Sequence, residues 1–354
     1  MSLHEIRDVA ELHRHLHAAM QLEHATIPPY LTALYSIHPG ANSEAYNIIR
    51  AVVVEEMLHL TLASNILNAV GGSPDLTAPG FVPLYPAYLP DGETDFAVGL
   101  ERFSKEAVET FLKIERPGET MGKQVRTIRR ARKNGSVLAA RVHQDSDEHF
   151  YSIGEFYQAI DRGLVALHAA MGDALFSGDP ARQVGPEYYY SGGGELTVVT
   201  DLASAQAAIR LISEQGEGVG GAIFDFEDEI SHFYRFEQLV LGRYYQAGDE
   251  PGSPSGLPVS VDWDAVYPIK ANPRVADYPQ GSGQHAEAVA FNEDYGRFLG
   301  LLNRAFNGEP PLLVDAVGEM FRIKEKCYRL MRQPIGDTGL NGAPTFEISL
   351  SGGA

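Results

Sequence analysis

Cysteine, basic residues and long apolar runs are scarce in this chain, and each scarcity excludes a class of protein. A single cysteine among 354 residues rules out a disulfide framework and a cysteine zinc site. Lys and Arg number 28 against 47 Asp and Glu, a net charge of −19, which argues against nucleic acid and anionic membranes as partners. No stretch of about 18 apolar residues occurs, and the N-terminus lacks the apolar core of a signal peptide. We therefore expect a cytoplasmic protein that does not span a membrane.

Helical periodicity dominates the rest of the sequence. Apolar residues recur every three or four positions over 9–34 and again between Asn42 and Gly71. The second helix is about 40 Å long at about 1.5 Å per residue, a length typical of helix bundles. Pro28 and Pro29 predict a kink or break in the first helix, because proline removes a backbone donor. The pattern predicts further helices over residues 105–114, 152–176, 204–215, 225–245, 287–306 and 312–331.

The segments between these helices divide the chain. The segment from about 76 to 150 begins with a run rich in Pro, Gly and Tyr, which is typical of a long crossover insertion. Proline is also frequent over 246–290, which predicts loops there. We expect a mainly α protein with a four-helix bundle in residues 1–245. The remaining segment, 246–354, is expected to be loop-rich and to end in two helices packed on the bundle.

Three ionisable residues interrupt the apolar faces of the first two helices. On the second helix, Glu56 and His59 continue the stripe between Val52 and Ala63, and on the first helix Glu23 does the same. A buried carboxylate is costly unless it is paired or ligates a metal. Glu and His three residues apart project from one helix face and can reach a single ion. These positions therefore indicate a metal site.

A second Glu-x-x-His pair, Glu229 and His232, falls in the predicted helix over 225–245, and Glu155 lies near the start of the helix over 152–176. A Glu followed by Glu-x-x-His, occurring twice, is the ligand set of di-iron and di-manganese carboxylate bundles. Carboxylate and imidazole donors together predict two Fe ions, with Mn as the alternative metal. The predicted ligands are Glu23, Glu56, His59, Glu155, Glu229 and His232.

Some of these assignments have alternatives in the sequence. Glu155 also fits a helix-capping box with Ser152, which explains its position without a metal. The neighbouring acidic residues Glu55 and Asp228 stand four residues before the two histidines and are alternative ligands. The repeated spacing of three residues favours the pairs given above.

Five local motifs, and not only their spacing, resemble a known family. They are LEHATIPPYLTALYS, EEMLHLTLASNILNAVGGSPDL, SIGEFYQAI, ISEQGEG and ISHFYRFEQL. They resemble the ferritin-like domain family of the iminophenyl-pyruvate dimer synthase type, found in bisindole pigment and indolocarbazole biosynthesis. The resemblance implies a ferritin-like bundle and the oxidative coupling of two imino acids derived from aromatic amino acids. By motif match it implies metal-ligand roles for Glu23, Glu56, His59, Glu229 and His232, and for Glu155.

The leading hypothesis is a di-metal oxidase or oxygenase that uses O₂ and acts on a small organic substrate, of which an amino-acid-derived imine is one candidate. A non-catalytic, iron-binding or iron-storing relative of ferritin is the first alternative. A metal-free accessory protein is the second. The sequence does not fix the oligomeric state or the residues that act as acids or bases.

Overall fold

The computed structural model describes residues 6–90, 95–118, 152–189 and 193–348. Within these residues the secondary structure consists of α-helices, short 3₁₀ turns and isolated β-bridges, which confirms the mainly α class. The helices are α1 (Val9–Ser36), α2 (Ser43–Ala69), α3 (Lys105–Ile114), α4 (Ile153–Met171), α5 (Leu202–Glu217), α6 (His232–Leu241), α7 (Gly283–Ala305) and α8 (Leu312–Met331). None of the helices in these ranges combines the length and apolar character needed to cross a membrane.

Four of the helices form the bundle. Helix α1 packs along α2, α2 packs on α5, α5 on α4, and α4 returns to α1. The apolar stripes read from the sequence face this core, and nearly every residue in the second half of α1 and of α2 is buried. The fourth bundle position is thus filled by α5, not by the helix that carries His232.

Helix α1 runs without a break through Pro28 and Pro29, so a break there is wrong, while a kink stays a prediction. Pro29 lacks the N–H that would donate to the carbonyl of Ala25. The buried hydroxyl of Tyr85 donates to that carbonyl instead, at 2.8 Å. The side chain of Thr32 donates to the carbonyl of Pro28 at 2.7 Å. The Tyr85 hydroxyl therefore replaces one of the two backbone donors that the prolines remove, whereas the Thr32 bond is an additional contact to a carbonyl that the prolines leave paired.

Helix α6 begins at His232, and the prediction of a helix from residue 225 is wrong. The preceding residues form a tight turn in which Phe224 and Ile230 pair as a β-bridge. A carboxylate oxygen of Asp225 accepts the backbone N–H groups of Glu227 and Glu229, at 2.8 and 2.9 Å. Side-chain acceptors of this kind compete with helix formation. Glu229 therefore lies in the turn, outside the helix.

The last two helices pack against each other and α8 packs against α1. Tyr295 on α7 reaches His24 on α1, with 2.8 Å between its hydroxyl and the imidazole Nε2. The domain boundary near residue 245 stays a prediction. Of the predicted insertion, α3 is found over the residues expected, while 91–94 and 119–150 lie outside the described residues.

Candidate metal centre

Helices α1 and α2 place three of the predicted ligands side by side in the bundle. Glu23, Glu56 and His59 are each 2% exposed, as their positions in the apolar stripes predict. The hydroxyl of Thr26 on α1 donates to Glu56 Oε2 on α2 at 3.1 Å, which ties the two helices together at this level. The structure therefore brings these three predicted ligands together, and their metal-ligand roles stay a prediction.

The fourth and fifth members come from the ends of two short helices that pack on each other, α3 and α6. Glu115 directly follows the last residue of α3 and is 2% exposed. His232 is the first residue of α6 and is fully buried. Because both side chains sit at helix ends that meet the bundle, they converge on the face of α2 that carries Glu56.

The five side chains form two groups that share one carboxylate. Glu23, Glu56 and His59 make the first group, and Glu56, Glu115 and His232 the second; within each, one ligand atom per residue lies within 4.8 Å of the others. His59 Nδ1 is 3.5 Å from Glu23 Oε2. His232 Nδ1 is 2.9 Å from Glu56 Oε1 and 3.5 Å from Glu115 Oε2. Glu56 is thus placed between two potential ion positions.

The outer nitrogen of each imidazole is held by a buried acceptor. His59 Nε2 lies 2.9 Å from Gln215 Oε1 on α5, and His232 Nε2 lies 2.8 Å from Glu55 Oε2 on α2. An Nε2–H that donates to these oxygens leaves Nδ1 as the nitrogen with the lone pair. Metal-ligating histidines are commonly oriented by such a hydrogen bond on the far nitrogen. In their neutral form, the form that ligates a metal, both rings would consequently present their lone pairs toward the carboxylates.

Two buried tyrosines donate to the outer carboxylates. The Tyr157 hydroxyl on α4 lies 2.5 Å from Glu23 Oε1, and the Tyr30 hydroxyl on α1 donates to Glu115 Oε1. Burial, with the negative charge of these carboxylates, raises the pKa of both tyrosines well above the ordinary value. They remain hydrogen-bond donors at neutral pH and fix the orientation of the two carboxylates.

The electrostatics of the ion-free cluster favour bound protons. Burial and the neighbouring Glu115 raise the pKa of Glu56 to about 8. Burial alone lowers the pKa of His232, but its contacts with Glu115, Glu55 and Glu56 outweigh that and raise it well above the ordinary value. Burial also raises the pKa of Glu55, yet the hydrogen bond from His232 and the charge of Arg235 bring it below the ordinary value.

The donor set fits a pair of cations. Four carboxylates, each 2–3% exposed, surround the site: Glu23, Glu55, Glu56 and Glu115. Arg235 forms an ion pair with Glu55 at 3.2 Å. Among the described residues, no other Arg or Lys pairs with these four carboxylates. With all four carboxylates ionised and both imidazoles neutral, the state in which they would ligate metal, the cluster carries a net charge of about −3. In a buried site that charge is costly unless bound cations, or the protons described above, compensate it. His232 Nδ1 is buried and has no partner with hydrogen-bond geometry among the described residues, as expected of a ligand atom.

The distances agree with this interpretation. Metal–nitrogen and metal–oxygen bonds of about 2.1 Å at a right angle place two ligand atoms about 3 Å apart. The contacts of His232 Nδ1, at 2.9 and 3.5 Å, bracket that value. A cavity of about 10 Å³ adjoins the cluster and is lined by Glu23, Glu56, His59 and Glu115, among others. This space is enough for a molecule about the size of water.

Glu155 and Glu229 lie outside both groups. Glu155 sits in the first turn of α4, where its backbone N–H donates to Ser152 Oγ at 3.1 Å, the capping contact that the sequence allowed as an alternative. Glu229 is 48% exposed and pairs with Arg235 at 2.6 Å. Because Glu229 precedes α6, its spacing from His232 does not place the two side chains on one helix face. Their ligand roles stay sequence predictions, and the geometry favours Glu115.

Sequence reasoning missed Glu115, although a signal was present. Glu115 follows Val108 by seven residues and Phe111 by four, so it continues the apolar stripe of α3, as Glu56 does on α2. Glu55 was considered only as a replacement for Glu56. The structure gives it a different place, on the outer nitrogen of His232.

Comparisons with known proteins agree with the helical fold. The ferritin-like family model matches residues 16–241. A dichlorochromopyrrolate synthase of Lentzea aerocolonigenes is 28% identical over 340 residues, which cover 84% of this chain and 29% of the relative. The chain therefore spans less than a third of that relative's length. A crystal structure of a ferritin-like protein from Caulobacter vibrioides superposes with a TM-score of 0.61 at 25% identity, covering 96% of this chain and 99% of the other.

The family model covers well over half of the chain, and the solved structure shares its helical architecture over nearly all of it. The resemblance found in the sequence motifs is thereby confirmed. The chain belongs to the ferritin-like family.

Proposed function

We propose that the cluster holds two metal ions. One ion is assigned to Glu23, Glu56 and His59, and the other to Glu56, Glu115 and His232. The observation that carries this assignment is the pair of buried groups that share Glu56. Hard carboxylate oxygens with one imidazole per ion suit iron, and manganese is the alternative.

The remaining residues of the site hold these ligands in place. Gln215 and Glu55 orient the two imidazoles, and Tyr157 and Tyr30 orient the two outer carboxylates. When bound, the ions would supply electron transfer and Lewis acidity that protein side chains lack. The chain's own contribution is to orient the donor atoms toward the ions and to exclude bulk water from the cluster.

We further propose that the protein is an oxidase or oxygenase that uses O₂ and a small organic substrate. Support comes from the buried cluster and from the similarity to a relative named as a dichlorochromopyrrolate synthase. Amino-acid-derived imines are the substrate class we propose, because the motif resemblance implies the coupling of such compounds. Iron storage and a metal-free accessory role are the competing outcomes.

Elemental analysis of purified protein tests the metal assignment. We expect about two Fe or Mn per chain in the wild type. Glu115→Gln should lose about one ion, because a neutral amide is a weak replacement for a carboxylate ligand. Glu155→Gln and Glu229→Gln make the same chemical change outside the two groups and should keep both ions. Full metal content in Glu115→Gln together with loss in either of the other variants would assign the site to the residues predicted from the sequence.

The reaction is tested with the anaerobic Fe(II) form. It is mixed with O₂ and with imines generated from aromatic amino acids, and O₂ uptake and product mass are followed. We expect substrate-dependent O₂ uptake in the wild type and its loss in the double variant Glu56→Ala, His59→Ala. Substrate-independent iron oxidation by a large multi-subunit particle in size-exclusion chromatography would favour storage. Absence of bound metal in the wild type would favour an accessory role.

A further inference from the structure

A much larger cavity, of about 280 Å³, lies between the bundle helices α1 and α2 and the C-terminal helices α7 and α8. It shares no lining residue with the small cavity at the metal centre. On α2 it is bounded by Arg50, Val53 and Met57, which at about 100° per residue lie on a different face from Glu56 and His59. Its volume is close to the lower limit of typical small-molecule sites. It is thus separate from the metal cluster.

The inner part of this cavity is apolar and rich in aromatic rings. Tyr295, Phe298 and Phe306 line it from the C-terminal side and are at most 8% exposed. Ile27 and Leu31 line it from α1 and are also buried. An apolar cavity of this kind holds water poorly and binds apolar molecules of matching size. The body of any ligand should therefore be apolar.

The rim of the cavity, unlike its apolar inner part, carries two positively charged side chains. It is formed by Tyr46 and Arg50 on α2 and by Phe321 and Lys324 on α8. Phe321 is 71% exposed, so this side of the cavity meets solvent. The Lys324 ammonium lies 6.0 Å from the ring centre of Tyr46 and 5.9 Å from that of Tyr328.

Neither rim cation forms an ion pair with a carboxylate among the described residues. Within the described part of the chain, no carboxylate lies within ion-pair distance of Arg50 or Lys324, although the protein carries 47 acidic residues. Two unpaired cations at the opening of an apolar cavity complement a ligand with one anionic end. Guanidinium and ammonium groups bind carboxylates through charge-assisted hydrogen bonds.

We propose that this cavity binds a small apolar monocarboxylate, with its apolar body among the buried rings and its carboxylate at Arg50 and Lys324. The inference does not depend on the metal centre. It adds a second binding site, on a different face of α2, to the proposed oxidase.

Isothermal titration of the full chain with decanoate and with 1-decanol tests the proposal. The two probes share an apolar chain and differ in charge. We expect one decanoate per chain, bound at least about tenfold (about 1.4 kcal/mol) more tightly than decanol, because a hydrogen bond to a charged group contributes at least about that much. In the double variant Arg50→Gln, Lys324→Gln, the affinity for decanoate should fall to that for decanol, while the affinity for decanol stays unchanged. Arg322→Gln removes one positive charge from an exposed position on the same helix and should change neither affinity.

A second variant tests the cavity itself. Val317 lines the cavity and is partly exposed, so Val317→Trp should fill the space and abolish binding of both probes, with the helical circular dichroism retained. Metal content should be unchanged in all these variants, which separates this test from that of the proposed function. Equal affinity of wild type for decanoate and decanol, no binding of either, or undiminished binding in a folded Val317→Trp would each overturn the proposal. So would a dimer that dissociates in Phe321→Ser, because the rim would then be an interface between two chains.

Discussion

Replacing Gln215 with leucine should weaken the binding of one of the two proposed ions and leave the binding of the other unchanged. Gln215 Oε1 accepts from His59 Nε2 at 2.9 Å, and both side chains are at most 3% exposed. Leucine has a similar size but offers no acceptor, so the buried N–H of His59 would lose its partner. His232 is held by Glu55 and not by Gln215, which leaves the second group intact.

The expected size of the effect follows from two independent considerations. An unsatisfied buried polar group costs about 1–3 kcal/mol. Loss of an outer hydrogen bond to a metal-ligating histidine typically weakens metal binding about 10- to 100-fold, equivalent to about 1.4–2.7 kcal/mol. The first cost lowers the stability of the folded protein, and the second sets the change in metal affinity: we expect the ion assigned to His59 to bind about 10- to 100-fold more weakly.

The assay is a titration of metal-free protein with Mn(II) in competition with a chelator. Wild type should bind two ions, and Gln215→Leu should retain one ion of wild-type affinity and one that is weakened. Gln206→Leu is the matched control: it makes the same change on α5, about 13 Å away along the helix, and breaks a hydrogen bond of 2.8 Å to Asp161 instead. Wild-type affinity for both ions in Gln215→Leu, or equal weakening of both, would refute the assigned role of Gln215.

Two further predictions concern protons and helix α1. At pH 7 the metal-free protein should release at least one proton per chain when it takes up metal, because the pKa of Glu56 is raised to about 8 and its carboxyl is protonated below that pH. The release should decline as the pH rises above 8, as measured by calorimetry in buffers of different ionisation enthalpy; release that is constant between pH 6 and 9 would contradict it. Tyr85→Phe should leave the carbonyl of Ala25 without its donor and cost about 1–3 kcal/mol, seen as a melting temperature lowered by a few degrees. The same change at the partly exposed Tyr244 serves as control, and equal melting temperatures for the two variants would count against the role given to Tyr85.

The fold could be predicted from the sequence wherever helical periodicity and end signals agreed. The bounds of α3 and α8 match the expected residues, and α2 begins and ends within two residues of its expected limits. The start of α6 could not be read in this way. The spacing of Glu229 and His232 imitates a helix, whereas the backbone before Ser231 follows a turn held by the Asp225 side chain.

Some residues of the candidate site could be identified from the sequence and others could not. Glu23, Glu56 and His59 were identified because polar residues on an apolar stripe must be paired or must bind something. Glu115 was not identified, because it directly follows a short helix in a segment without a recognisable motif. It reaches the cluster only through the packing of α3 on α6. The apolar stripe of α3 could have marked Glu115 as a polar residue in a buried position, but a local pattern cannot report which cluster it joins when that depends on how two distant helix ends meet.

Anomalous X-ray diffraction from crystals loaded with Fe(II) or Mn(II), collected at the absorption edge of the metal, tests the central claim most directly. Two peaks are predicted in each chain. One should lie among Glu23, Glu56 and His59 and the other among Glu56, Glu115 and His232, with Glu56 between them. A single peak, no peak, or a peak ligated by Glu155 or Glu229 would contradict the proposed pair of ions.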